Sequence, residues 1–173
     1  MKTSNFSQTL AVGKLAESYV LRLLNGCGLK AAPVAFAQRS FWDVQAEVPN
    51  WWGLEDNLLK LEVKHDIYHA RTGNIAIEVF NTVSNKPSGL TNTKADLWVC
   101  VLHDSMWIAK TEFLKTFVFD AGIKPKKIVD NAGDGNAMIY LYSDDEILSI
   151  FHRVDNLIST EVLEKLKELC KKH

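Results

Sequence analysis

Cysteine cross-linking and membrane insertion are the first possibilities that this 173-residue chain excludes. Its three cysteines, Cys27, Cys100 and Cys170, are odd in number and far apart, with no Cys-x-x-Cys or Cys/His spacing. Neither a disulfide framework nor a zinc knuckle is therefore indicated, and the thiols read as reduced packing residues. No apolar run approaches the roughly 20 residues that a membrane-spanning helix needs. Met1 to Thr9 is polar where a signal peptide is basic and then apolar, so a cytoplasmic protein without a membrane partner is expected. Excess positive charge is missing too: a net charge of −1 disfavours a protein that coats nucleic acid by phosphate neutralisation alone. No repeat, low-complexity tract or linker interrupts the sequence. Residues 1–173 are expected to form one domain, and 47% apolar residues suffice for a closed core.

The small net charge conceals a pattern. Residues 1–42 carry +4, 43–78 carry −4, 79–127 carry +3 and 128–173 carry −4. An acidic segment between two basic ones is what a carboxylate metal site in a phosphate-binding groove produces.

Hydrophobic periodicity predicts the elements. Leu15, Ala16, Tyr19, Val20, Leu23 and Leu24 place a helix over 9–25, closed by Gly26 and Gly28. Alternation over Phe41 to Val48 and again over Asn57 to His65 predicts two half-buried strands joined as a hairpin. Ile75, Ile77 and Val79 mark a third strand. The almost continuous apolar run Asp96 to Leu102 marks a strand covered on both faces. Further strands are expected at Met106 to Ala109 and, after the Asp134-Gly135 turn, at Ala137 to Tyr142. Helices are expected at Glu112 to Phe119, after the Ser143/Glu146 capping box, and at Thr160 to Lys172. The basic cluster Lys124, Lys126 and Lys127 reads as a solvated loop. The sum is an α/β domain with a mixed central sheet flanked by helices.

Period-two geometry puts Glu62 and Lys64 on one face of their strand with Val63 turned away, and hairpin pairing brings Asp43 beside them. Two carboxylates on adjacent strands offer hard oxygen ligands suited to Mg²⁺ or Mn²⁺. The chemistry such a cation supplies is a lowered pKa for a bound water and compensation of charge on a phosphodiester oxygen. Lys64 could hold that water or meet the charge developing in the transition state. The same residues also fit an ordinary solvent-facing hairpin with exposed cross-strand ion pairs. Glu78 reads as a surface strand residue.

Asp43, followed nineteen residues on by Glu62-Val63-Lys64 and preceded by a helix bearing Glu17, resembles the PD-(D/E)xK nuclease superfamily over about residues 10 to 102. Trp42 stands where the motif's name has proline. The run Lys86-Pro87-Ser88-Gly89-Leu90, then Thr93-Lys94-Ala95-Asp96-Leu97-Trp98, is similar to a segment of small phage-type members, and Glu17 matches the first-helix acid of the Holliday-junction-resolvase-like branch. The resemblance implies a restriction-endonuclease-like core and a Mg²⁺- or Mn²⁺-dependent deoxyribonuclease, phage-encoded and acting in a host cytoplasm. Asp43 and Glu62 would be its metal carboxylates, the Val63 carbonyl a further ligand, Lys64 the catalytic lysine and Glu17 an additional site acid. Candidates for phosphate contacts are Lys14, Arg22 and Arg39 before the site and Lys86, Ser88, Asn92, Thr93 and Lys94 after it. No recognition helix or specificity domain is evident, so the DNA would be read by structure, ends or single-stranded character, in replication, recombination or repair. A homodimer follows by analogy with junction resolvers. The alternative is a nucleic-acid-binding or interaction module that keeps the fold without cleavage.

Overall fold

The computed structural model describes residues 3–35, 38, 41–103, 105–132 and 137–171. The expected Asp134-Gly135 turn lies outside them. Helix α1 (Thr3–Gly26) begins earlier than its periodicity signalled. It buries Ala16, Val20 and Leu24, the i, i+4, i+8 stripe, and stops where Gly28 at φ +83° lets the Leu29 N–H close on the Leu24 carbonyl at 3.1 Å.

Among the described residues, ten strands form two sheets. The first holds β1 (Lys30–Pro33), β2 (Val44–Glu47), β3 (Leu58–His65), β6 (Leu97–Val101), β7 (Met106–Lys110) and β10 (His152–Arg153), in the order β1-β2-β3-β6-β7-β10. It is mixed because β3 and β6 run parallel, with Glu62 beside Trp98 and Lys64 beside Cys100, while its other neighbours are antiparallel. The β2–β3 pairing expected from alternation is present, with Val44 opposite Leu61. The second sheet, absent from the sequence reading, runs β5-β4-β9-β8, with β4 (Asn74–Asn81), β5 (Lys86–Pro87), β8 (Lys127–Ala132) and β9 (Ala137–Ser143) all antiparallel. The lysines read as a solvated loop thus lead into β8. Shorter helices α2 (His69–Thr72), α3 (Thr111–Lys115) and α4 (Asp144–Ile147) connect the strands, and α5 (Ser159–Cys170) closes the fold.

Alternation along β3 and β6 feeds two cores. Leu59, Leu61, Val63, Leu97, Val99 and Val101 pack under α1 and α5. Trp98, Cys100 and Leu102 face the other way, against Ile75, Ile77, Val79 and Tyr142 of the second sheet and Leu114 of α3. Strand β6 is buried at all five positions, as its apolar run requires. No helix among the described residues is long and apolar enough to cross a membrane.

The cysteines are all free. Burial pushes the Cys100 and Cys170 thiols up to about 12, so at neutral pH they carry almost no nucleophilic thiolate. Native protein treated with iodoacetamide at pH 8 should therefore be modified at half-buried Cys27 before Cys100 or Cys170, as peptide mass mapping would read. Labelling of Cys100 at the rate of the unfolded chain would show that this core opens freely.

Candidate active site

The site forms where β2 peels away from β3. Past Val44 the ladder loses its regular partner, and the side chain of Asp43 takes over: its Oδ2 accepts the Val63 N–H at 2.8 Å. A strand residue's N–H and C=O point to the same edge, so the Val63 carbonyl faces the side on which Asp43 stands. The Asp43 N–H is itself held by the Leu61 carbonyl at 2.9 Å.

Glu62 is only 7% exposed, which rejects a solvent-facing hairpin. It lies on the face of β3 toward the second core. Lys64 follows on the same face with Nζ 2.7 Å from Glu62 Oε1, its alkyl chain beside Trp98 and Nζ 5.6 Å from that ring's centre. Burial drives the Glu62 carboxyl above its ordinary range and the Asp43 charge adds to this, against the opposing pull of Lys64. Burial also opposes the Lys64 charge, but Glu62 and then Asp43 outweigh it and hold the ammonium above the usual lysine range. Lys64 is thus a fixed cation at neutral pH.

A third segment completes the arrangement. Thr93 is 4% exposed, and its hydroxyl lies 2.7 Å from the Phe41 carbonyl and 3.2 Å from Glu62 Oε2, while it accepts the Ala95 N–H at 3.1 Å. Its carbonyl accepts from Lys115 Nζ at 3.0 Å. This position differs from the phosphate contact expected of Thr93: the side chain braces Glu62 from inside. Ser88, also expected at phosphate, is half-buried with its hydroxyl donated to Glu78 Oε1 at 2.7 Å. Glu78 in turn is half-buried, and its charge helps to keep Lys64 protonated, so it is more than a surface strand residue. The loop can lie this close to β4 only because Gly89 has no side chain. A β-carbon there would stand 2.8 Å from Glu78 Cβ and nearer still to the Glu78 carbonyl oxygen, at a φ of +51°.

The other expected residues divide between two faces. Glu17 is half-buried on α1 beside Ala16, on the helix that packs against the opposite face of β3 from Glu62. Lys14 and Arg22 are exposed on the same helix. Lys86 and Lys94 are exposed and Asn92 half-buried on the loop near the second core, with Lys94 Nζ 4.3 Å from the centre of the Phe41 ring. Arg39 lies outside the described residues. Among the described residues no three His, Cys, Asp or Glu side chains gather at metal-ligand spacing. Asp43 lies near enough for its charge to act on Glu62, and no third acid gathers with them among the described residues. Lys115 was missed by sequence reasoning, and a lone helical lysine twenty-two residues from its contact gives no local signal.

No family model matches the chain, and neither does any curated protein. Among solved structures it is similar to a bacterial homing endonuclease, I-Ssp6803I, at 18% identity over 68% of this chain and 84% of that one, with a TM-score of 0.46. At that identity and overlap, function has to come from the site's own chemistry.

The hydroxyl of Thr93 and the bare backbone of Gly89 each generate a stability prediction. Thr93→Val keeps the shape but leaves buried polar groups without a partner, a loss of about 1–3 kcal/mol. Thr93→Ser loses one methyl group, roughly 0.8 kcal/mol. In urea denaturation the Val variant should be the weaker, and an equal or larger loss in the Ser variant would rule the hydroxyl out as a brace. Gly89→Ala should cost on the order of 1–3 kcal/mol through strain against Glu78. An unchanged midpoint would mean that the loop does not pack on β4 as described.

Proposed function

We propose that this protein is a metal-dependent deoxyribonuclease whose active site is built from Asp43, Glu62 and Lys64. One observation carries the reading: a carboxylate buried to 7% exposure is held beside a fixed lysine cation at 2.7 Å, with a second carboxylate on the neighbouring strand. A hairpin that only needed to fold would gain nothing from this. Burying an ion pair is at best neutral for stability relative to apolar residues of the same volume, and clustered, perturbed ionisable groups are a signature of chemistry.

The donor set fits a small hard cation. Asp43 spends one oxygen on the Val63 N–H and has the other to offer. Glu62 is already crowded by the Asp43 charge, which a cation would relieve. Mg²⁺ and Mn²⁺ accept few protein ligands and keep several waters, so two carboxylates with the Val63 carbonyl suffice. When bound, such an ion lowers the pKa of a water and compensates phosphodiester charge. Glu17, half-buried on α1, is the additional acid of this proposal.

The remaining work falls to the chain. Glu62 and Asp43 hold Lys64 protonated, and its ammonium can donate hydrogen bonds to the nucleophile or to a phosphoryl oxygen as negative charge develops. Thr93 and Asp43 hold Glu62 and Val63 in register so that little reorganisation is needed at reaction. Lys86 and Lys94 lie on the loop that carries Thr93 and could fix the phosphate backbone there. The reading extends to structure- or end-directed cleavage in replication, recombination or repair, in a phage-encoded, resolvase-like enzyme that acts as a homodimer in the host cytoplasm.

Cleavage of labelled linear duplex, single strand, flap and four-way junction with Mg²⁺ or Mn²⁺ tests this. Asp43→Asn and Glu62→Gln should abolish cutting with the fold intact. Lys64→Ala should lower turnover by roughly 10²–10³-fold, the range seen when one transition-state donor is removed. Binding without cutting by any form would leave the fold as a recognition module, and undiminished turnover in Lys64→Ala would reject the role given to that residue.

A further inference from the structure

A cavity of about 450 Å³ lies between α1 and the carboxyl ends of β3 and β6, on the side of the sheet away from Glu62. Its position is informative. His65 and Val101 are the last register pair of the parallel strands in this sheet, and open α/β sheets bind ligands outside the carboxyl ends of such strands. Its chemistry is more so. One wall is the ring of Tyr19, 43% exposed despite its size, with the Arg22 guanidinium 5.8 Å from the ring centre. Val101 and Leu102, both buried, contribute to the apolar lining. His65, His103 and Ser105 supply polar groups.

An inorganic anion explains this poorly, because the lining is dominated by an aromatic ring and buried apolar residues, and Asp155, paired with Arg153 at 3.0 Å, adds a carboxylate to it. A flat, uncharged, hydrogen-bonding ligand fits better. An aromatic face joined to a guanidinium is the stacking surface on which single-stranded bases settle, and the polar groups suit a base edge. The volume lies within the usual range for a small-molecule site. The cavity and the candidate active site share one strand end: Lys64 and His65 are consecutive in β3 and point to opposite faces of the sheet. A nucleotide chain that reaches both has to round the carboxyl end of β3.

We infer that this cavity receives an unpaired nucleobase of the substrate strand, so that the nucleic acid acted on at Asp43, Glu62 and Lys64 is single-stranded or carries an extruded base. A paired base cannot enter, since its edge is occupied and its faces are stacked within the duplex. The assignment takes its substrate from the nuclease reading, yet its test needs no catalysis.

The test uses the whole wild-type chain and its Tyr19→Phe and Tyr19→Ala variants in EDTA, titrated against three oligonucleotides labelled with 2-aminopurine: a single strand, a duplex with one unpaired base and a perfect duplex. The pocket requires quenching of the unpaired base and tighter binding of the first two. Tyr19→Ala should weaken those two by about tenfold, as loss of one stacking partner does, and leave the perfect duplex unchanged. Tyr19→Phe, which keeps the ring, should behave as wild type. Equal weakening of all three ligands, or no effect of Tyr19→Ala, overturns the pocket, as does failure to bind any of them. Cleavage by the wild-type chain with Mg²⁺ is scored separately. Cutting without base selectivity removes the pocket and keeps the nuclease, whereas base-selective binding without cutting supports the pocket and removes the nuclease.

Discussion

The Glu62 carboxyl at 7% exposure is the constraint to which the rest of this molecule answers. Taking a carboxylate out of water carries a penalty of several kcal/mol unless charge and hydrogen bonds are returned to it. Lys64 returns the charge from two positions along the same strand, which period-two geometry makes possible without any help from tertiary structure. The hydrogen bond is harder to supply. It comes from Thr93, thirty-one residues away, whose one hydroxyl proton is shared between Glu62 and the nearer Phe41 carbonyl, and so requires the loop before β6 to be in place. Gly89 and Ser88 do this by laying the loop on Glu78 of β4, which ties the second sheet to the site carried by the first. One buried carboxylate thereby explains why the loop is tight, why its hydroxyls turn inward and why a glycine sits at its closest approach.

What could be read from the sequence was whatever is written locally. Alternation assigned β2, β3 and β4, and the apolar run of β6 announced a strand covered on both sides, because side-chain direction in a strand is fixed by counting. Asp43, Glu62 and Lys64 were legible for the same reason. The second sheet was not, since membership in a sheet depends on which strands meet, and β8 begins in a lysine-rich stretch whose charge outweighs the weak signal of Ile128 and Val129. Lys30–Pro33 was missed as β1 because an exposed edge strand needs no apolar alternation: its burial is mostly exposed. Thr93 and Ser88 were assigned the usual task of loop hydroxyls. Only the contacts to Glu62 and Glu78, both long-range, could have reassigned them.

Strand β3 also makes site and core inseparable. Leu61 and Val63 enter one core while Glu62 and Lys64 look into the other side, so each site residue is flanked in sequence by a residue that cannot move. Such rigidity is what preorganisation asks for, and alternation adds it to what Thr93 and Asp43 supply.

Asp43 shows how closely structural and chemical duties overlap at such a place. Where β2 leaves β3, the Val63 N–H would be an orphaned donor, and the Asp43 carboxylate is the acceptor that removes this penalty. The same bond orients the carboxylate and leaves its second oxygen for another partner. Alanine at this position would therefore confound two losses, a lost acceptor in the ladder and a lost charge at the site. Asparagine separates them, because its amide oxygen can still accept from Val63 while the negative charge is gone. The energetic logic that closes the sheet is in this way the same logic that aims the carboxylate, and a substitution is informative about chemistry only when it preserves the backbone's hydrogen bond.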